Sequence, residues 1–355
     1  MAFTLLAVMR RSIAVALIVA CSSPKAPEVT QPRFAGIAEA IARGDAPETK
    51  SVLVMQRGEV VHEAYFAGAD AETLHDTRSV GKSITALAVG IAIDKGVLPG
   101  VNASAFAYLT NLAPFAHDGA LKQAITVEDF LTMSSALDCN DDDARNAGNE
   151  ANMYPQENWS RWAVDLAVQQ DYQRDANGRG PWHYCTAGTF LLGHVLERAA
   201  KQRVDAFIAE QLFAPLGITK WEFTRSPSNE VLTGGMLRLR SRDLGAIMEL
   251  VRKRGAHGGK QIVPAAFVDA ALTVHRNAFP KQDYGYLFWH RTYHTSCGDY
   301  PAWYMSGNGG NAVVAVPALD AVVVVTRTHY NQGRRMHDQT TALVENQILP
   351  GLCRS

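Results

Sequence analysis

Two residues three positions apart, Ser79 and Lys82, offer a nucleophile and a base. Residues at this spacing share one face of a helix, which brings the serine hydroxyl and the lysine amine within hydrogen-bonding reach. The amine can act as a base only if burial or a neighbouring charge lowers its pKa from about 10.4. The same Ser-x-x-Lys spacing recurs at Ser22 and Lys25, so the pattern indicates catalysis only together with its context.

The chain after Ser79 has the pattern of a helix that would carry both residues. Apolar side chains recur at helical spacing until Gly96, at Val80, Ile84, Leu87 and Ile91. This apolar helix favours burial of Lys82. It also places the backbone N–H of Ser79 among those that have no partner within the helix, where an oxyanion could be bound.

Strand patterns occur at both ends of the chain, with helical patterns between them. Residues 51–56 and 59–66 predict a hairpin, and strands return at residues 284–289, 303–305, 311–316 and 321–328. This order predicts an α/β (α+β) fold in which the N- and C-terminal segments form one sheet around a helical insertion. We place the sheet subdomain at about residues 33–100 and 265–355, and the helical subdomain at about residues 101–264.

The first 32 residues are typical of an export signal followed by a tether. Arg10 and Arg11 precede the apolar residues 13–20, a run too short to span a membrane. Residues 18–21 resemble the lipobox of bacterial lipoproteins, in which the cysteine, here Cys21, is acylated. We expect a signal peptide at 1–20, a tether at 21–32, and a lipoprotein of the periplasm or outer membrane. The alternatives are an ordinary signal peptide or a wrongly assigned start upstream of Met9.

Charge and cysteine content limit the partners of the protein. The chain has 34 Lys and Arg against 35 Asp and Glu, and this balance argues against nucleic acid as a partner. The only membrane contact that we expect is through the lipid anchor.

The cysteines could form disulfides after export. In an oxidising compartment up to two disulfides can form in any of three connectivities, from Cys139, Cys185, Cys297 and Cys353. No two cysteines or histidines stand at ligand spacing on one element, so we expect no metal site.

The segment 77–96 resembles the active-site helix of the serine β-lactamase and penicillin-binding superfamily. Four further segments match in family order: 125–136, Tyr184-Cys185-Thr186, 213–219, and 234–243 with its Gly234-Gly235 pair. Within the superfamily, the class C β-lactamases, D-alanyl-D-alanine peptidases, class VIII esterases and 6-aminohexanoate-dimer hydrolases are most similar. The resemblance covers about residues 33–350 and implies a β-lactamase/transpeptidase-like fold with an antiparallel sheet flanked by helices.

The resemblance also assigns roles to site residues. It implies that Ser79 attacks a carbonyl, that Lys82 coupled to Tyr184 moves the proton, and that an acyl-enzyme forms without metal or cofactor. The third family motif falls at residues 306–311, where Met305 stands in place of the usual strand cation. We expect the N–H of Asn308 to complete an oxyanion hole with that of Ser79, within a loop whose substrate-binding residues are Gly307, Asn308, Gly309 and Gly310. The alternative is a glycine-rich turn without a catalytic role.

The missing strand cation bears on the substrate. β-Lactams and peptidoglycan stems carry a carboxylate, so we expect a small-molecule ester or small amide instead, in an esterase or 6-aminohexanoate-dimer hydrolase-like reaction. An acyl pocket could be lined by Trp182, Trp289, Trp303 and Tyr304, which are otherwise core residues. The alternatives are a D-alanyl-D-alanine carboxypeptidase, a β-lactamase, or a non-catalytic receptor on the same fold. The chain has no Gly-x-Ser-x-Gly motif, which argues against an α/β-hydrolase.

Overall fold

The computed structural model describes residues 32–169, 172–176 and 178–353. Its α-helices are α1 (Ala35–Ala42), α2 (Val80–Asp94), α3 (Ala120–Gln123), α4 (Val127–Leu131), α5 (Glu150–Met153), α6 (Trp159–Val164), α7 (Thr186–Ala200), α8 (Val204–Ile208), α9 (Ser241–Arg252), α10 (Ala265–Ala271), α11 (Arg334–Leu343) and α12 (Leu349–Cys353). Its strands are β1 (Thr49–Gln56), β2 (Glu59–Tyr65), β3 (His75–Asp76), β4 (Arg238–Leu239), β5 (Ala256–His257), β6 (Lys260–Gln261), β7 (Arg276–Phe279), β8 (Gln282–Tyr284), β9 (Trp289–Thr295), β10 (Gly298–Gly307), β11 (Asn311–Val316) and β12 (Ala321–Arg327). The predicted signal peptide at 1–20 and the predicted acylation site Cys21 lie outside the described residues.

Eight strands form one antiparallel sheet in the order β2-β1-β12-β11-β10-β9-β8-β7. The hairpin β1–β2 comes from the start of the domain, and the other six strands come from its end. β1 pairs with β12 in a register that runs from Thr49 opposite Arg327 to Gln56 opposite Ala321. The prediction that both chain ends build one antiparallel sheet is therefore confirmed.

Both faces of the central strands are buried. On β12, Val322 and Val324 pack with α2 and α9, while Val323 and Val325 pack on the opposite face with α1 and α12. A valine run therefore suits this strand, because each side chain that leaves water stabilises the fold by about 1.5–3 kcal/mol. Among the described helices, none combines the length and apolar content needed to cross a bilayer.

The predicted strand at residues 284–289 is wrong. β8 ends at Tyr284 and β9 begins at Trp289, and the chain between them turns, with Leu287 at φ 58°. The Leu287 N–H donates to Leu131 O at 2.9 Å, and Phe288 is fully buried, so the apolar run fills the core without belonging to a strand.

The structure contains two disulfides, which correspond to one of the three possible pairings of the four cysteines. Cys139 pairs with Cys185 and Cys297 pairs with Cys353, with sequence separations of 46 and 56. In the chain-entropy account, closing loops of this length stabilises the folded state by about 4 kcal/mol each.

Candidate active site

Ser79 occupies the N-cap position of α2, but its side chain makes no capping hydrogen bond. The preceding residue, Arg78, has φ 52°, a left-handed conformation that costs a non-glycine residue about 1 kcal/mol. The guanidinium carbon of Arg78 lies 4.2 Å from the ring centre of Tyr330, and the backbone N–H of Arg78 donates to Asp76 Oδ1 at 3.1 Å. These contacts hold the turn, and the Ser79 hydroxyl is available for chemistry.

Lys82 lies one turn into α2, with only 1% of its surface exposed. Its Nζ donates to Ser79 Oγ at 2.9 Å, to Thr186 Oγ1 at 2.9 Å, and to Gly234 O. Burial lowers the pKa of Lys82, and the negative charges of Glu150 and Asp141 oppose that change. A buried amine with a lowered pKa, in contact with a serine hydroxyl, suits proton abstraction.

Tyr184 lies just before α7 and covers Lys82, whose Nζ is 4.9 Å from the centre of the tyrosine ring. Burial raises the pKa of Tyr184 above its usual range, and a hydrogen bond with Ser79 opposes this only in part. The phenol is therefore protonated near neutral pH and can relay a proton. The three residues predicted to be catalytic, Ser79, Lys82 and Tyr184, thus lie together.

Two carboxylates, those of Glu150 and Asp141, lie close enough to Lys82 to act on its charge. Glu150 Oε2 accepts from Thr186 Oγ1 at 2.9 Å and from Tyr154 OH at 2.8 Å. Asp141 accepts from Thr186 N at 2.6 Å and Glu150 N at 2.8 Å, and burial followed by the charge of Glu150 raises its pKa to about 6. Sequence reasoning missed both acids because they lie in an irregular polar segment without periodicity.

The Cys139–Cys185 disulfide joins the two segments that carry these groups. Cys185 lies between Tyr184 and Thr186, and Cys139 is two residues before Asp141. The N–H of Asp141 donates to Tyr184 O at 2.8 Å. The covalent bond therefore holds the acidic loop, residues 139–150, against Tyr184 and against Thr186, which contacts Lys82.

The glycine-rich loop after β10 lies beside Ser79. A Cβ on Gly307 would be 1.9 Å from Thr77 O and 3.1 Å from Ser79 N, so the close approach of two backbones requires glycine here. No hydrogen bond among the described residues uses the N–H of Ser79 or of Asn308, which leaves both free for an oxyanion. Gly309 differs, because its N–H donates to Met336 Sδ at 3.0 Å. Gly310 lines the adjoining cavity.

A cavity of about 400 Å³ opens at Ser79 and Tyr184. Trp289 and Tyr304 line it, as the sequence suggested. Trp182 packs behind this wall, 6.1 Å from Trp289 between ring centres. Trp303 instead contacts His290, on the opposite face of β9 and β10.

The expectation that Met305 stands at the position of the strand cation in the site needs correction. Met305 is fully buried in the core on the face of the sheet that contacts α2, and it does not line the cavity. Arg327 is committed to the carbonyls of Pro47 and Met336. Arg291 and Arg334 do line the cavity, so the site has positive charge from other elements. Among the described residues, no group of three or more potential metal ligands comes together.

Comparison with known proteins agrees with this geometry. A 6-aminohexanoate-dimer hydrolase from Paenarthrobacter ureafaciens is 25% identical over 293 residues, which cover 78% of this chain and 71% of that protein. Similar solved structures include a putative 6-aminohexanoate-dimer hydrolase from Bacillus anthracis (TM-score 0.70, 15% identity, 85% of this chain and 79% of that one) and a family VIII carboxylesterase (TM-score 0.61, 17% identity, 89% and 99%). The predicted resemblance is confirmed, because the family model described as Beta-lactamase matches residues 33–346 and the chain therefore belongs to that family.

Proposed function

We propose that the protein is a serine hydrolase that cleaves esters or small linear amides through an acyl-enzyme. The observation that carries this proposal is the contact of 2.9 Å between the buried Lys82 Nζ and Ser79 Oγ, next to the Tyr184 phenol. A nucleophile in contact with a desolvated base is the arrangement that acyl transfer requires. The hydrolases named among its relatives support the same reaction class.

The reaction follows from the contacts in two steps. Ser79 Oγ attacks the substrate carbonyl as its proton moves to Lys82 Nζ, and the N–H groups of Ser79 and Asn308 bind the oxyanion. The bond to the leaving group then breaks, and that group takes the proton from Lys82 through the Tyr184 hydroxyl. Water attacks the acyl-enzyme by the same route, which regenerates Ser79 and releases the acid.

A substrate panel tests this function and ranks the alternatives. We would assay p-nitrophenyl esters, a linear 6-aminohexanoate dimer, nitrocefin and a D-Ala-D-Ala peptide with the wild type and Ser79→Ala. We expect ester or linear-amide turnover that depends on Ser79. Turnover of nitrocefin or of the peptide above all others would instead identify a β-lactamase or a carboxypeptidase.

A non-catalytic receptor on the same fold is the competing class. The intact set of Ser79, Lys82 and Tyr184 argues against it, because a receptor has no need of a buried base beside a nucleophile. A fluorophosphonate probe separates the two classes. Stoichiometric labelling at Ser79 supports the enzyme, and an unlabelled, folded protein supports the receptor.

We also propose that the protein is exported and anchored through Cys21 as a lipoprotein of the periplasm or outer membrane. The two disulfides support this proposal, because structural disulfides persist in oxidising compartments. Metabolic labelling with a fatty-acid probe tests it. We expect label in the wild type and none in Cys21→Ser, whereas an unlabelled wild type that is cleaved and secreted would indicate an ordinary signal peptide.

A further inference from the structure

Arg291 on β9 faces the cavity and has bonding capacity to spare. Its Nη1 donates to Thr341 Oγ1 at 2.7 Å, and its guanidinium carbon lies 5.3 Å from the ring centre of Tyr293. Tyr304 lines the same cavity. Its Nε is buried and has no hydrogen-bond partner. Across residues 32–169, 172–176 and 178–353, no carboxylate forms an ion pair with it.

The other charged groups nearby do not compensate this guanidinium. Arg334 at the rim of the cavity is 3.6 Å from Asp338 in an exposed ion pair. Glu345 accepts the backbone N–H of His294 at 2.9 Å and forms no ion pair with Arg291. A partly buried cation without a counter-charge is costly, which favours an anionic ligand at this position.

The same cavity joins Arg291 to Ser79. Arg291 is in register with Ala302 on β10, five residues before Gly307, which lies beside the Ser79 N–H. Five strand residues span roughly 17 Å. Asp141, Asp142 and Glu150 line the cavity as well. Asp141 accepts the backbone N–H of Thr186 and Glu150 accepts its hydroxyl, close to Lys82 and Tyr184. The cavity is therefore acidic near the nucleophile. At its other end Asp338 pairs with Arg334, and among the described residues the charge of Arg291 is left without a counter-charge.

We propose that the cavity selects substrates whose far end carries a carboxylate, which Arg291, Tyr304 and Thr341 bind while the scissile carbonyl lies at Ser79. This proposal rests on the hydrolase function proposed above and specifies its substrate class. Repulsion by the acids near Ser79 fixes the orientation, because the carboxylate is favoured only at the Arg291 end. Arginine suits this role because its planar donors match a carboxylate.

The test compares charged and neutral substrates of equal length. Mono-p-nitrophenyl esters of glutaric, adipic, suberic and sebacic acids are assayed beside the same esters with the free carboxyl methylated. A second pair, the butyrate ester of 4-hydroxyphenylpropionic acid and its methyl ester, moves the carboxylate to the leaving group. We expect kcat/KM to favour the carboxylate by about 10- to 100-fold in one series. The series that shows the gain identifies the side of the scissile bond that occupies the inner cavity.

Variants assign the preference to Arg291. Arg291→Met should abolish the preference while cleavage of the methylated esters continues, and Arg291→Lys should keep part of it. Arg335→Met, which changes an exposed arginine of α11 outside the cavity lining, is the matched control. Equal rates for charged and methylated esters in the wild type, or a preference that survives Arg291→Met, would overturn the proposal.

A binding measurement keeps this result separate from the hydrolase assignment. Ser79→Ala is titrated with monomethyl suberate and with dimethyl suberate by calorimetry. Binding of the monoanion alone, lost in a folded Arg291→Met/Ser79→Ala protein, supports the carboxylate site even if no ester is turned over. No difference between the two compounds contradicts it, whatever the catalytic assays give.

Discussion

Thr186 connects Lys82 to a carboxylate: its hydroxyl accepts a hydrogen bond from Lys82 Nζ at 2.9 Å and donates one to Glu150 at 2.9 Å. Lys82 is therefore held at two points besides Ser79, by this hydroxyl and by the Gly234 carbonyl. Because the Thr186 hydroxyl can donate its single proton only once, its bond to Glu150 directs its lone pair toward Lys82.

Loss of the Thr186 hydroxyl should slow catalysis. Thr186→Val removes both hydrogen bonds and lets Lys82 move, so we expect kcat on a p-nitrophenyl ester to fall by up to about 100-fold while KM changes little. Thr186→Ser keeps the hydroxyl and should retain most of the activity. If the valine and serine variants are equally active, the hydroxyl does not position Lys82.

Ser79→Ala should abolish turnover and leave the fold intact. An N-cap serine whose side chain caps the helix contributes about 1 kcal/mol, but the Ser79 side chain makes no such bond, so the loss of stability should be smaller. Thermal unfolding and turnover measured on the same sample check both statements. Turnover within tenfold of wild type would contradict the assignment of the nucleophile. Ser22→Ala, in the predicted tether, is the control and should behave as wild type.

Lys82→Ala and Tyr184→Phe should each slow acylation by roughly 100-fold or more, as removal of a positioned acid or base does. The double variant should lose less than the product of the two, because both residues act on the proton of Ser79. Burst-phase kinetics give the acylation rates, and strictly multiplicative losses would show that the residues act independently. Tyr108→Phe is a suitable control, whereas Tyr293 lines the cavity and is not.

The pairing of Ser79 with Lys82 could be predicted from the sequence because it is local. Three residues along one helix fix their separation whatever the rest of the fold does. The position of Tyr184 could be predicted from the family order of its segment. Thr186 stood at a position the motif already marked, so its place near the site was expected, although its contact with Lys82 was not.

Other parts of the site depend on contacts that no local pattern contains. Asp141, from a loop, and Glu150, the first residue of α5, both bind Thr186, which contacts Lys82. The bond that holds this segment, Cys139–Cys185, was one of three open pairings. β9 was missed because Arg291 lies between Trp289 and Tyr293 on the face that lines the cavity, where strand alternation would predict an apolar side chain. Met305 was correctly placed on β10, but its burial in the core follows only from the packing of α2 against the sheet.

The acids also set the pH dependence of activity. Lys82 must be neutral to accept a proton, so kcat/KM should rise as pH increases through its pKa, which burial lowers. Glu150 and Asp141 each raise that pKa, so Glu150→Gln and Asp141→Asn should move the acidic limb of the profile to lower pH. Profiles between pH 5 and 10 measure the shift. Asp143→Asn, on the same loop and paired with Arg145, should leave the limb in place, and a limb that moves upward in Glu150→Gln would contradict the electrostatic argument.

The two disulfides should differ in their effect on activity. Replacing either pair by serines should lower stability by about 2–5 kcal/mol, because both bonds close long loops. Only loss of Cys139–Cys185 should also reduce kcat, because without this bond Asp141 is released from Tyr184 and Thr186. Cys297–Cys353 joins the β9–β10 turn to α12, away from Ser79, so its loss should leave kcat unchanged. Activity is measured well below the unfolding temperature of both double variants, with circular dichroism to confirm that they are folded. Equal kcat in the two folded variants would mean that hydrogen bonds alone hold the acidic loop, and that the covalent bond near the site serves stability only.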